Sequence, residues 1–382
     1  MLERTKELLD GFLREKVPGY EIAIYKDGEC LMRRAGGFVD VEAGITHRGD
    51  ELYNMYSNSK TVTCVAAMLL YERGMFKLED KLSKYLPEYA NMTVKTEGGI
   101  RPAETEIKVE DLFQMTAGFN YSIGCESILR VKRETDGRCP TREVVRALAS
   151  EPLEFDPGSS WKYSLCHDVL AGLVEELSGV RFADFVKKNI FDPVGMTNST
   201  FHLYPEQREK LCTQYRYSYE AKTVSRVGKG NVYDLGDEYD SGGAGMVSTL
   251  DDFIIFGEAL RKGEILKPDT VKLMATDRLG TGARRDAFTL DDYGYGLGVR
   301  CPRGDGDVRG VGIYDFGWSG AAGAHFGVDI THGITVSHVQ HILNFPNYAS
   351  KRKMMRTLTA DILGDDLCNR TETKEIDQGI TY

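Results

Sequence analysis

The sequence predicts an α/β protein of the α+β kind: an antiparallel sheet flanked by helices, built from both chain ends, with an inserted all-helical lobe. Short strand patterns broken by glycine or Asp-Gly turns occur near the N-terminus and again from residue 293 onward. Helix-period patterns fill the middle. Consecutive strands joined by tight turns pair antiparallel. Two separated sets of strands are most economically accommodated in one sheet, with the intervening helices forming a lobe beside it. The expected division is 1–75 with 288–382 as the sheet domain, and 76–287 as the mainly helical insertion.

Residues 3–16 read as an amphipathic helix. Tyr20–Tyr25 and Cys30–Met32 flank Lys26-Asp27-Gly28-Glu29, a hairpin signal. Apolar residues Val62, Val65, Ala66, Leu69 and Leu70 recur at helical spacing up to Gly74. Helices follow at 108–117, 141–150, 165–178 (stopped by Gly179), 182–191, 250–262 and near 268–276. Residues 293–299, 312–318, 324–328 and 333–337 read as short strands, and about 349–363 as a final amphipathic helix. No internal repeat is present.

At 382 residues the chain can bury a large core, and its composition, 41% hydrophobic and 28% charged, is that of an ordinary globular protein. A net charge of −10, with no basic run beyond Lys351-Arg352-Lys353, argues against nucleic acid as a partner. No stretch approaches 18 uninterrupted apolar residues, so no membrane span is expected. The charged segment Met1–Glu7 is not of signal-peptide type. The eight cysteines are scattered without a C-x-x-C pair, which fits free thiols and a cytoplasmic location. The seven histidines show no metal-binding spacing, and neither metal nor cofactor is proposed.

Ser57 falls at the first turn of the apolar helix and Lys60 one turn later on the same face. A serine hydroxyl needs an adjacent base to become a nucleophile, and a desolvated lysine amine can serve. The helix N-terminus offers N–H groups and partial positive charge to a developing oxyanion. Ser-x-x-Lys occurs three times, however. Ser159/Lys162 follows Asp156-Pro157-Gly158 and reads as a turn, and Ser350/Lys353 reads as a solvated helix face. Only Ser57 opens a long apolar helix.

Several further segments, in order, resemble the serine β-lactamase and penicillin-binding-protein superfamily, nearest the branch joining class C β-lactamases to family VIII carboxylesterases. Ser57-Asn58-Ser59-Lys60 is similar to its Ser-x-x-Lys motif. Leu112–Phe119 is similar to Leu-Leu-x-His-Thr-Ser-Gly-Leu, with Met115 where histidine is usual. Pro157-Gly158-Ser159-Ser160-Trp161-Lys162-Tyr163-Ser164-Leu165 resembles Pro-Gly-x-x-Trp-x-Tyr-Ser-Asn. Pro193–Met196 resembles Pro-Leu-Gly-Met, and Gly242–Thr249 resembles Gly-Gly-Leu-x-Ser-Thr with two extra residues. Trp318-Ser319-Gly320 occupies the place of the third motif, Lys-Thr-Gly in β-lactamases.

The resemblance implies a β-lactamase/transpeptidase-like fold and acyl transfer at Ser57. Lys60 and Tyr163 share the base function, the phenol being depressed by the nearby ammonium. The backbone N–H groups of Ser57 and Ala321 form the oxyanion hole. Trp318, Ser319, Gly320, Leu165 and Tyr121 are the expected substrate-binding residues. Tyr121, His325 and His341 also have plain readings as loop, strand or surface residues, and Trp161 as core beneath Tyr163. Trp318 replaces a lysine that attracts a substrate carboxylate, and Leu165 an asparagine that binds an acylamide. Both departures favour a carboxylesterase on small or medium esters over a β-lactamase, a D-amino-acid peptidase or amidase. Hydrolysis and acyl transfer to an alcohol stay open, and a non-catalytic binding relative is disfavoured by the intact Ser57, Lys60 and Tyr163. The expected partner is a small-molecule ester or amide.

Overall fold

In the computed structural model, which describes residues 2–279, 284–285, 294–302, 315–345 and 347–364, Asp27 and Gly28 both adopt positive φ, 53° and 88°. That is the pair of left-handed residues a two-residue hairpin turn requires. It joins β1 (Gly19–Lys26) to β2 (Glu29–Asp40), which pair antiparallel with Ala23 opposite Arg33. A short β3 (Ile45–Thr46) completes the N-terminal contribution. The C-terminal part supplies β4 (Gly294–Tyr295), β5 (Arg300–Cys301), β6 (Asp315–Ser319), β7 (His325–Asp329) and β8 (Ile334–Gln340). One eight-stranded sheet results, in the order β4-β5-β6-β7-β8-β1-β2-β3. Its seam is the antiparallel pair β1–β8, with Ile24 opposite Val336. The two chain ends therefore do build one sheet, and every neighbouring pair in it is antiparallel.

β1 is buried on both faces because alternate residues meet different layers. Tyr20, Ile22 and Ile24 pack with Leu9 and Phe12 of α1 (Glu3–Arg14), and with Met354, Met355 and Leu358 of α5 (Asn347–Leu363). On the opposite face Ala23, Phe326 and Val328 join the large core with Phe253 and Phe256 of α4 (Leu250–Lys262). A Cβ built on Gly257 would meet Thr335 Cγ2 at 2.5 Å, so only glycine lets α4 approach the sheet this closely.

Helix α2 (Ser59–Glu72) belongs to the same core and packs against α3 (Cys166–Ser178). It is buried nearly all round, its polar residues Ser59, Lys60, Thr61 and Thr63 included, because it lies between the sheet and the helical segments. The region between the sheet halves is mainly helical, as expected. It also carries two small hairpins, Thr93–Thr96 with Gly99–Pro102 and Gln214–Ser218 with Thr223–Gly228, which the periodicity leaves unassigned because their strands are short and polar. The helix expected at 108–117 ends at Gln114, where Met115 turns left-handed at φ 58°. Among the expected strands, Tyr293 and residues 312–314 lie outside the described residues.

Candidate active site

Ser57 stands in a single 3₁₀ turn, Tyr56–Asn58, that feeds α2. The preceding Tyr56 is fully buried and holds φ at 45°, a conformation costing a non-glycine residue about 1–3 kcal/mol. Its surroundings fix it: the hydroxyl donates to Gln214 and the ring meets Tyr233 edge-on at 6.0 Å.

Lys60 is completely buried. Its Nζ lies 3.3 Å from Ser57 Oγ, 2.9 Å from the Tyr121 hydroxyl and 2.6 Å from the Gly243 carbonyl oxygen. The Tyr163 hydroxyl donates to Ser57 Oγ at 2.5 Å. Tyr163 is held between two rings, stacked on Tyr121 at 5.2 Å and on Trp318 at 6.0 Å. Trp318 Nε1 also donates to the Tyr163 hydroxyl at 3.5 Å, and Tyr295 packs edge-on against Trp318 at 5.3 Å. Lys60 and Tyr163 thus both meet the Ser57 hydroxyl, and Tyr121, Gly243 and Trp318 in turn contact that amine and phenol.

Burial sets the protonation pattern. It pushes the Lys60 amine down from its usual 10.5 to about 7, against the opposing pull of Asp168. The same burial raises Tyr163 above the ordinary phenol range, despite its hydrogen bonds to Ser57 and Trp318. The expected depression of Tyr163 by an ammonium is therefore corrected. Enclosure penalises the charged form of both groups, and an amine that gives up its charge near neutrality no longer favours a phenolate. His167, under α2, is pushed down to about 3 by burial and by the Lys60 charge, so it is neutral.

The turn after β6 lies directly against the Ser57 turn. A Cβ built on Gly320 would fall 2.4 Å from the Met55 carbonyl oxygen. The Gly320 N–H donates to Ala324 at 2.8 Å, closing the turn around Ala321. Among the described residues, neither the Ser57 N–H nor the Ala321 N–H has a hydrogen-bond acceptor. Ser319 Oγ faces away from this group, 3.1 Å from His325 Nδ1 and 3.4 Å from a buried Arg300. Leu165 is 3% exposed, within the main core, its N–H bonded to the Asn120 carbonyl. Trp161 packs beneath Tyr163, as expected of a core residue. His341 is buried between the carbonyls of Thr213 and Phe38, outside the Ser57 group.

The other two Ser-x-x-Lys pairs are dispersed. Ser159 Oγ donates within its own turn to Asp156, and Lys162 bonds Glu154. The side chain of Ser350 lies outside the described residues. Sequence reading underweights Tyr121, whose plain reading is loop packing and whose hydroxyl meets Lys60. It includes Gly243 only within the Gly242–Thr249 resemblance, with no site role, and omits Asp168. The Gly-Gly pair at 242–243 is the signal that could have pointed to a close backbone approach.

Glu21, His47 and Glu51 bring three potential metal-ligand atoms within 4.8 Å of one another. Internal partners engage them: the Tyr53 hydroxyl donates to Glu21 at 2.9 Å and lies 3.2 Å from His47, and Glu51 accepts from the Arg48 and Gly49 N–H groups. A separate polar cavity of about 230 Å³, walled by Asp40, Glu51, Lys210 and Lys229 among others, contains none of the Ser57 group. No helix among the described residues is long and apolar enough to cross a membrane.

Comparison with known proteins agrees with this architecture. Esterase EstB of Burkholderia gladioli is 29% identical over 348 residues, covering 82% of this chain and 86% of that protein. The solved structure of EstCE1, a hydrolase with promiscuous acyltransferase activity, matches with a TM-score of 0.76 at 22% identity, covering 94% of this chain and 97% of that one. Simvastatin synthase (LovD) from Aspergillus terreus matches with a TM-score of 0.75 at 20% identity, over 94% and 98% of the two chains. At these identities the two structures speak for the fold. The β-lactamase family model matches residues 5–359, nearly the whole of the described chain, and the chain belongs to the β-lactamase family.

Proposed function

We propose that this family member is a serine esterase that forms an acyl-enzyme at Ser57. The observation that carries the reading is the convergence of Lys60 Nζ and the Tyr163 hydroxyl on Ser57 Oγ, at 3.3 Å and 2.5 Å. In its ammonium form Lys60 has three hydrogens, matched by Ser57, Tyr121 and Gly243. Neutral Lys60 keeps two hydrogens for Gly243 and Tyr121 and turns its lone pair to Ser57, which becomes the donor. Near pH 7 both forms are populated, the condition a general base needs.

Ser57 Oγ attacks the ester carbonyl as its proton passes to Lys60. The free N–H groups of Ser57 and Ala321 are suited to receive the oxyanion, a contribution of about 3–4 kcal/mol per donor in other hydrolases. Collapse breaks the ester C–O bond, and the leaving alkoxide takes a proton from Tyr163, which Lys60 restores. Water then attacks the acyl carbon and gives a proton to Lys60; collapse breaks the Ser57 Oγ–C bond, releases the acid and returns that proton to Ser57 Oγ.

The aromatic walls support an ester preference. Trp318 offers no cation for a substrate carboxylate. The likeness to EstB, an esterase, points the same way. Handing the acyl group to an alcohol instead of water is the second reading, favoured by the likeness to EstCE1, a hydrolase with promiscuous acyltransferase activity. Free thiols at all seven described cysteines fit a reducing, cytoplasmic setting.

Short-chain p-nitrophenyl esters and nitrocefin, each with and without an added alcohol, test the reading. Ester turnover with slow nitrocefin hydrolysis is expected, and a phosphonate probe should add its mass to Ser57. Turnover surviving in Ser57→Ala removes Ser57 as the nucleophile, and fast nitrocefin hydrolysis reverses the substrate preference.

A further inference from the structure

We infer that Asp168 is a positioning residue for Lys60, acting through the Gly243 peptide and stabilising the ammonium that forms when Ser57 gives up its proton. This rests on the Ser57–Lys60 reading above. Asp168 sits on the first turn of α3 and is 1% exposed. Its Oδ1 accepts from the Tyr239 hydroxyl at 2.8 Å, Ser241 Oγ at 2.7 Å and the Gly243 N–H at 3.2 Å. The carbonyl of the same Gly243 accepts from Lys60 Nζ at 2.6 Å. One residue thus links the carboxylate to the amine, and three donors fold the 239–243 segment so that its carbonyl meets Lys60. Position 243 has no room for a side chain: a Cβ there would lie 2.4 Å from Asp168 Oδ2 and 3.3 Å from the Tyr121 hydroxyl.

Two further features separate this carboxylate from a structural knot. Asp168 Oδ2 is buried with no hydrogen-bond partner, and no lysine or arginine pairs with Asp168, both among the described residues. A buried carboxylate oxygen without a donor is costly and calls for a reason. The groups around Lys60 supply one. The phenols Tyr121 and Tyr163 contact the amine, and Cys64, Cys166 and His167 are close enough to interact with its charge; none is a carboxylate. Asp168 is the acidic side chain among these described neighbours, so its charge favours the protonated amine over the neutral one. The arrangement parallels a carboxylate behind a catalytic base, with a peptide dipole in place of a direct hydrogen bond.

The test is the pH profile of kcat/KM on p-nitrophenyl butyrate, with sites counted by phosphonate titration. Asp168→Asn keeps the shape and removes the charge. Its plateau should fall at least about tenfold and its acid limb move to lower pH by about one unit, since Lys60 becomes a weaker base. Tyr239→Phe/Ser241→Ala keeps the charge but withdraws two donors, and its limb should move the opposite way, to higher pH. A merely structural role lowers the rate in both variants and moves neither limb, and that result overturns the inference. Should Asp168→Asn fail to fold, an unmoved limb in the double variant overturns it alone. Failure of the underlying reading looks different: ester turnover would survive Ser57→Ala.

Discussion

Replacing Lys60 with methionine should abolish ester turnover and, at and below neutral pH, make the protein more stable. The amine is fully buried and its folded pKa lies at about 7, against 10.5 for an exposed lysine. A depressed folded pKa means that folding expels a proton, so the penalty is fully present below the folded value and fades as pH rises toward the unfolded one. At about 1.4 kcal/mol per pH unit, the penalty at pH 6 is about 5 kcal/mol. By the same linkage it should relax by about 2 kcal/mol between pH 7 and pH 9. Methionine fills the same slot without charge, but leaves the Gly243 carbonyl and the Tyr121 hydroxyl without their partner. Those losses are about 1–3 kcal/mol in all. Lys60→Met is therefore expected to gain about 2–4 kcal/mol over the wild type at pH 6, and to lose that advantage between about pH 8 and pH 10. Urea unfolding of both proteins across this range measures the difference, and titrations they share, such as those of Glu21 and Glu175, cancel. A variant less stable than wild type at pH 6, or a difference independent of pH, would refute the buried neutral amine as the source of the base.

Tyr163→Phe keeps the ring between Tyr121 and Trp318 but removes the hydroxyl from Ser57, so kcat/KM should fall by about 10²–10⁴ with the melting temperature little changed. In the wild type, kcat/KM should rise through pH 7 as Lys60 loses its proton, and stay level to about pH 10 because burial keeps Tyr163 protonated. A fall near pH 8 would contradict that order. Gly243→Ala forces a methyl group to within 2.4 Å of Asp168, and overpacking of this kind costs about 1–3 kcal/mol. Its turnover should drop alongside a lowered unfolding midpoint, and an alanine variant of wild-type activity would remove the close approach from the account.

Much of this site lies on the surface of the sequence because its chemistry is local. Ser57 and Lys60 are one helical turn apart, and a long apolar run marks the helix as buried, so a candidate nucleophile and a desolvated amine can be read from the spacing and the apolar run together. Tyr163 is legible for a different reason: its Pro-Gly-x-x-Trp-x-Tyr setting resembles a family segment, although 106 residues separate it from Ser57. The hairpin at Asp27-Gly28 follows from residue types that tolerate positive φ. The Tyr121 contact is not legible, because a loop tyrosine has the same composition whether or not its hydroxyl meets an amine 61 residues away.

The sequence alone determined most of the helices and strands and the join of two chain ends into one sheet, and it raised the expectation that Ser57, Lys60 and Tyr163 share a site. Tertiary structure decided which group holds the proton and what stands behind it. Protonation depends on how much water is excluded by residues distant in the chain, and here exclusion lowers the amine and raises the phenol together. The Gly243 carbonyl, 183 residues from Lys60, and the Asp168 carboxylate behind it enter the site only when the helical segments close against α2, because a backbone oxygen carries no sequence signature.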